Sequence, residues 1–133
     1  MISYKKIDIL NIRRKEDNKL YHKDKEFNIK SPIIIYEIKD SILELKINKH
    51  SESHNTFLNI CSYIERLFTI KEVETKLTTS NTISININNE SKFYDENSKH
   101  ILKNNLNKEG KCLFSFKYYN GNFILNQFLL IVK

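Results

Sequence analysis

Alanine and tryptophan are missing altogether from this chain of 133 residues, which has only two glycines, one proline, one methionine and two cysteines. With glycine only at Gly110 and Gly121, no glycine-rich phosphate loop, dinucleotide-binding turn or G-x-S-x-G nucleophile elbow can be formed. The scarcity of glycine and proline also excludes long flexible linkers and disorder-prone repeats. Cys61 and Cys112 stand far apart among apolar neighbours, with no C-x-x-C pair anywhere. They read as buried free thiols of a reducing compartment, not as a disulfide or zinc framework. No stretch approaches the ~18 consecutive apolar residues of a membrane span, and Met1 to Lys15 lacks the apolar core of a secretory signal. His22, His50, His54 and His100 are scattered and have no positioned partner in the sequence. These absences predict a soluble, cytoplasmic, non-enzymatic protein with no membrane partner, no metal and no cofactor.

Lysine, asparagine and isoleucine dominate instead. All three are encoded by A/T-rich codons, which points to a base-skewed genome such as that of a virus, plasmid or parasite. With 40% hydrophobic and 29% charged residues, the composition is that of one globular domain, taken as residues 1–133. The formal net charge of +6 suits a polyanionic partner. Codon bias alone also enriches lysine, so charge by itself does not separate a nucleic-acid surface from an ordinary solvated one.

One stretch is patterned as a helix, Ser53 to Ile70. Phe57, Ile60, Cys61, Ile64, Leu67 and Phe68 recur there at offsets 0, 3, 4, 7, 10 and 11, a single apolar stripe, and Ser53 or Asn55 can cap the first turn. Elsewhere the pattern is that of strands. Ile2–Ile12 is expected as a first strand, Arg13–Glu26 as a charged loop, and Phe27–Asp40 as a second strand with Ile33–Tyr36 buried on both faces. A turn at Asp40-Ser41 leads into Ile42–Lys49, with Leu43, Leu45 and Ile47 inward. Beyond the helix, Lys71–Thr79 reads as strand or irregular linker and Thr82–Asn88 as an alternating strand. Phe93-Tyr94, one ring in the core and one free, precedes a turn at Asp95–Ser98. Lys111–Tyr119 and Asn122–Val132 flank Asn120-Gly121, a pair suited to a type I′ hairpin. Phe114, Phe116 and Tyr118 share one face of the first arm; Leu113, Ser115, Lys117 and Tyr119 share the other.

Three strands, a helix and further strands closing in a hairpin resemble the OB-fold, a small barrel that binds oligonucleotides. The C-terminal run SKFYDENSKHILKNNLNKEGKCLFSFKYYNGNFILNQFLLIVK sharpens the likeness. Its aromatic strand, polar turn, glycine, aromatic strand and final apolar strand are similar to single-stranded-DNA-binding proteins of large cytoplasmic DNA viruses and linear cytoplasmic plasmids. The resemblance implies a mainly β fold: an OB-like barrel of five to six antiparallel strands with one helix, between the third and fourth strands, plugging an end. It also implies a part in DNA replication.

A sequence-tolerant single-strand binder needs cations that track phosphates and flat side chains on which bases stack. Arg13, Arg14, Lys15 and Tyr21 would supply both from the loop between the first two strands, which OB-folds use for oligonucleotides. Lys46 and Lys49 would lie on the outward face of the third strand. Tyr94, Lys117 and Tyr119 alternate with core positions and so complete the set. Single-stranded DNA is the expected partner, with RNA and self-association as further readings. One alternative is a structural or assembly protein of a virus-like element. Another is a Mg-dependent nuclease built on Glu37-x-Lys39 at the end of the strand IIIYEIK, with Asp17 or Asp24 as the upstream carboxylate.

Overall fold

The computed structural model describes residues 2–17, 19–67, 82–119 and 122–131. The expectations for Phe68, Lys71–Thr79 and the Asn120-Gly121 turn lie outside the described residues. The strands run, in chain order, β1 (Ile2–Ser3), β2 (Ile12–Arg14), β3 (Leu20–His22), β4 (Lys25–Glu26), β5 (Ile29–Lys30), β6 (Ile34–Lys39) and β7 (Ile42–Lys46). The helix α1 (Glu52–Leu67) follows, then β8 (Thr82–Asn86), β9 (Lys92–Tyr94), β10 (His100–Ile101), β11 (Glu109–Tyr119) and β12 (Asn122–Ile131).

The fold is mainly β, built around a closed five-stranded barrel. Its strands pair in the order β11-β6-β7-β8-β12, and β12 pairs back to β11. Four of these contacts are antiparallel, but β8 runs parallel to β12, so the wall is mixed where a purely antiparallel barrel was expected. Two walls are strands broken once. β5 and β6 lie end to end along β11, and β8 and β9 lie end to end along β12. A serine hydroxyl fills each break. At the first, the Phe114 N–H donates to Ser31 Oγ (3.0 Å) while the Ser31 N–H donates to the Phe114 carbonyl (2.8 Å). The adjoining Pro32 has no N–H to give the ladder. At the second, Ser91 Oγ donates to the Leu125 carbonyl at 2.6 Å.

Alternation places the core. Ile34, Tyr36 and Ile38 of β6, Leu43 and Leu45 of β7 and Ile83 and Ile85 of β8 all point into the barrel and are buried. Ile33 and Ile35 are instead 51% and 48% exposed, which corrects the expectation of a run buried on both faces. A barrel strand has only one inward face, and a run of isoleucines cannot change that. On β12 the phase shifts at Asn126, the extra residue of a bulge opposite the Ser115/Phe116 step. Phe123 and Leu125 before it, and Phe128 and Leu130 after it, therefore all face inward.

The helix follows β7 and so lies between the second and third barrel strands, not between the third and fourth. The count shifts because Ile2–Ile12 does not form a barrel strand. Ser3 and Asp8 accept the backbone N–H groups of Lys5 and Leu10 and fold this segment into two short 3-10 turns. Arg13–Glu26, expected as a loop, forms a three-stranded antiparallel sheet, β2-β3-β4. Ile12, Leu20, His22 and Phe27 are buried there, and Lys23 and Asp24, both at positive φ (51° and 67°), make the tight turn between β3 and β4.

α1 lies against the barrel end at which β6 begins and β7 ends. Phe57 meets Phe114, Phe116 and Tyr4 edge-on at 5.7, 5.8 and 6.4 Å. His54 accepts the Asn48 N–H on Nδ1 (2.9 Å), which leaves Nε2 to donate to the Ile33 carbonyl (2.9 Å). Phe57, Ile60, Cys61 and Ile64 are buried along the expected stripe, with Leu67 packed at its margin. Ser51, not Ser53 or Asn55, occupies the cap position and accepts the His54 N–H at 3.4 Å. Cys61 and Cys112 are free and buried, and burial pushes both thiols well above their ordinary range. No described helix is long and apolar enough to cross a membrane.

Candidate nucleic-acid interface

Strand register lines outward-facing side chains into rows that cross the barrel. Lys46 of β7 is level with Ile35 of β6, Lys111 of β11 and Ile131 of β12. Two residues further along β11, Leu113 is level with Leu129 of β12, Tyr94 of β9 and His100 of β10. Two residues beyond that, Lys30 of β5 is level with Ser115, Gln127 and Lys92. An apolar and aromatic row is thus bordered on both sides by rows carrying lysine. Among the described residues no carboxylate forms an ion pair with Lys30, Lys46, Lys92 or Lys111.

A cleft of about 270 Å³ opens in the middle of this surface, lined by Lys30, Tyr94, Leu113, Ser115, Gln127 and Leu129, with Ser98 of the β9–β10 turn on its wall. Phe93 is buried and its neighbour Tyr94 is half-buried, the division expected of this pair. Tyr94 stands edge-on to His100 at 5.8 Å. The bulge at Asn126 brings Gln127 outward into line with Ser115, and Asn126 donates to Ser115 Oγ at 3.4 Å. Lys30, Lys92, Lys111 and Gln127 were not among the residues expected from the sequence. Of these only Gln127 has a sequence signal, the three-residue step from Leu125 to Phe128 that betrays the bulge.

The other expected residues lie apart from this cleft. Arg13, Arg14 and Tyr21 sit on the small sheet, outside the barrel connection that OB-folds use, and Lys15 follows β2 directly. The Lys15 ammonium lies 4.2 Å from the centre of the Tyr21 ring, and the Tyr21 hydroxyl donates to Asp17 at 2.6 Å. That hydrogen bond lowers the Asp17 carboxyl below its ordinary range and raises the Tyr21 phenol. The Arg13 guanidinium is turned onto the Leu10 and Ile12 carbonyls. Arg14 lies close enough to Tyr118 to favour its ionised form, but burial and Glu65 together keep that phenol raised. Lys49 is exposed in the β7–α1 connection, and Lys117 is exposed on β11, level with Ile124. The Tyr119 side chain lies outside what is described.

Glu37 faces outward between Glu109 and Glu44, and Lys39 pairs with Glu44 at 3.2 Å. Asp17 is engaged by Tyr21, and Asp24 lies 4.0 Å from Lys15. Among the described residues no three His, Cys, Asp or Glu side chains are grouped so as to hold a metal ion. The chain matches no protein-family model, no curated protein and no solved structure.

Proposed function

We propose that this chain binds single-stranded DNA without strong sequence preference, laid across the outer face of the barrel. Tyr94 is the stacking platform, with Leu113 and Leu129 as an apolar floor, and Lys30 and Lys92 hold the phosphates. The observation that carries this reading is the row order, leucine and tyrosine bordered by lysine, each row crossing four adjoining strands. Sequence-tolerant binding needs that combination, because every base has a π-face and every nucleotide a phosphate. Five strands closed with one parallel contact, and a crossover from the third to the fourth, also support an OB-like Greek-key barrel. The early position of the helix sets this chain apart from that pattern.

Fluorescence polarisation with a labelled oligo-dT tests the proposal. The logarithm of affinity falls with the logarithm of salt by about 0.7 per phosphate neutralised, so two lysines give a slope of about −1.4. Tyr94→Ala weakens binding about five- to 150-fold, the span of one lost base stack, and Tyr94→Phe retains it. No binding at about 50 mM salt refutes the proposal. Unchanged affinity in folded Tyr94→Ala removes Tyr94 as the platform.

A further inference from the structure

A fourth row borders the first three. Two residues before Lys111 on β11, Glu109 is level with Glu37 of β6, Glu44 of β7 and Ser84 of β8. Glu44 is paired to Lys39, but among the described residues Glu37 and Glu109 form no ion pair. Both border the same shallow depression as Lys46 and Lys111. One side of the lane is therefore basic with acid just behind it, and the other, Lys30 and Lys92, has no such row in register.

Resting on the single-strand reading above, we propose that Glu37 and Glu109 are specificity-determining residues that make this surface reject duplex DNA. Adjacent rows are two residues apart, about 7 Å, and the two lysine rows four residues apart, about 14 Å. The carboxylates therefore lie within a Debye length of any phosphate on Lys46 and Lys111, and beyond one from the Lys30–Lys92 side at ordinary salt. A single strand has one backbone and lays it along Lys30 and Lys92, its bases turned onto Leu113, Leu129 and Tyr94. A duplex has two backbones, which face each other across a major groove about 12 Å wide. With one on Lys30 and Lys92, the second comes down on the Lys46–Lys111 row about 14 Å away, where Glu37 and Glu109, one row further on, offset the attraction of those lysines.

The test compares oligo-dT with a blunt duplex of mixed sequence, both labelled, on the wild-type chain and on Glu37→Gln/Glu109→Gln. Removing one carboxylate from about 7 Å of a phosphate is worth roughly threefold in a water-like dielectric. The double variant is expected to bind duplex about tenfold more tightly at low salt and oligo-dT less than twofold more tightly, the difference shrinking as salt rises. Glu109→Gln alone, at an exposed position, gives about threefold on duplex and covers the case in which the double variant does not fold. Equal gains on both DNAs, or no gain on duplex, overturn the inference while wild-type binding to oligo-dT leaves the proposed function standing. No binding of oligo-dT by either protein overturns both.

Discussion

Ser31→Ala removes one hydroxyl from the break between β5 and β6, and its cost follows from three contacts. Ser31 is 2% exposed. Its Oγ accepts the Phe114 N–H at 3.0 Å and donates to the Pro32 carbonyl at 2.9 Å, and its own N–H reaches the Phe114 carbonyl at 2.8 Å. Alanine retains the backbone contact and loses both hydroxyl contacts. Because the site is closed to water, the Phe114 N–H is left buried without an acceptor, which costs about 1–3 kcal/mol. The volume change is a single oxygen, so no cavity penalty adds to this. Urea unfolding followed by circular dichroism should show a loss near 2 kcal/mol with an unchanged m-value. In a chain of this size that lowers the melting temperature by roughly 8 °C. Ser91→Ala is the control, since Ser91 is half-buried and bonds Leu125 near solvent; water can replace that hydroxyl, and the loss should stay at or below about 1 kcal/mol. A Ser31→Ala loss under about 0.5 kcal/mol would refute the reasoning, because it would show the Phe114 N–H satisfied by some other group.

Two further outcomes concern protons. His22 is buried and accepts the Asp8 N–H on Nε2 at 3.0 Å, while its buried Nδ1 has no partner. Burial first, then Lys23, depresses its pKa below 6.5, so the fold favours the neutral ring; that stabilisation is present above about pH 6.5 and is lost as pH falls through the depressed value. An NMR titration should place the His22 midpoint below 6.5, and a midpoint at or above 6.5 would contradict this. Burial raises the Tyr36 phenol to about 12, and its hydroxyl donates to the Asn107 carbonyl at 2.7 Å. Ultraviolet titration compared with Tyr36→Phe should leave this tyrosine un-ionised at pH 10, with stability falling as pH rises from 10 towards 12; ionisation near 10 in the folded chain would contradict the burial.

The parts of the fold legible in the sequence were those governed by local period. The α1 stripe, the inward Leu43, Leu45 and Ile47, the Asp40 turn and the aromatic face of β11 each follow from neighbours a few residues apart. The N-terminal third was misread because turn chemistry there competes with strand propensity. Ser3 and Asp8 each bond a backbone N–H two residues on, which breaks the apparent strand at Ile2–Ile12. In Arg13–Glu26 a sparse apolar set, Ile12, Leu20 and Phe27, was enough to fold a charged segment into a sheet, because the Lys23-Asp24 turn holds β3 against β4. Losing one barrel strand at the N-terminus then displaced the helix by one place in the strand count.

The interface was less legible than the fold, for a geometric reason. Lys30, Ser115, Gln127 and Lys92 form one row, yet they come from four strands spread over most of the chain. Which residues share a row depends on register, and three irregularities set it: the break at Ser31-Pro32, the break at Ser91 and the bulge at Asn126. Side chains alternate faces, so one residue more or fewer at any of these would exchange the two faces of the strand beyond it. A single-residue slip at Ser91 would turn Phe93 outward and carry Tyr94 into the core. Small polar residues that look like interruptions in the hydrophobic pattern therefore decide which tyrosine meets solvent and which lysines stand beside it. Tyr94 was found from the sequence because its own neighbour, Phe93, marked the inward face. The lysines around it had no such local witness.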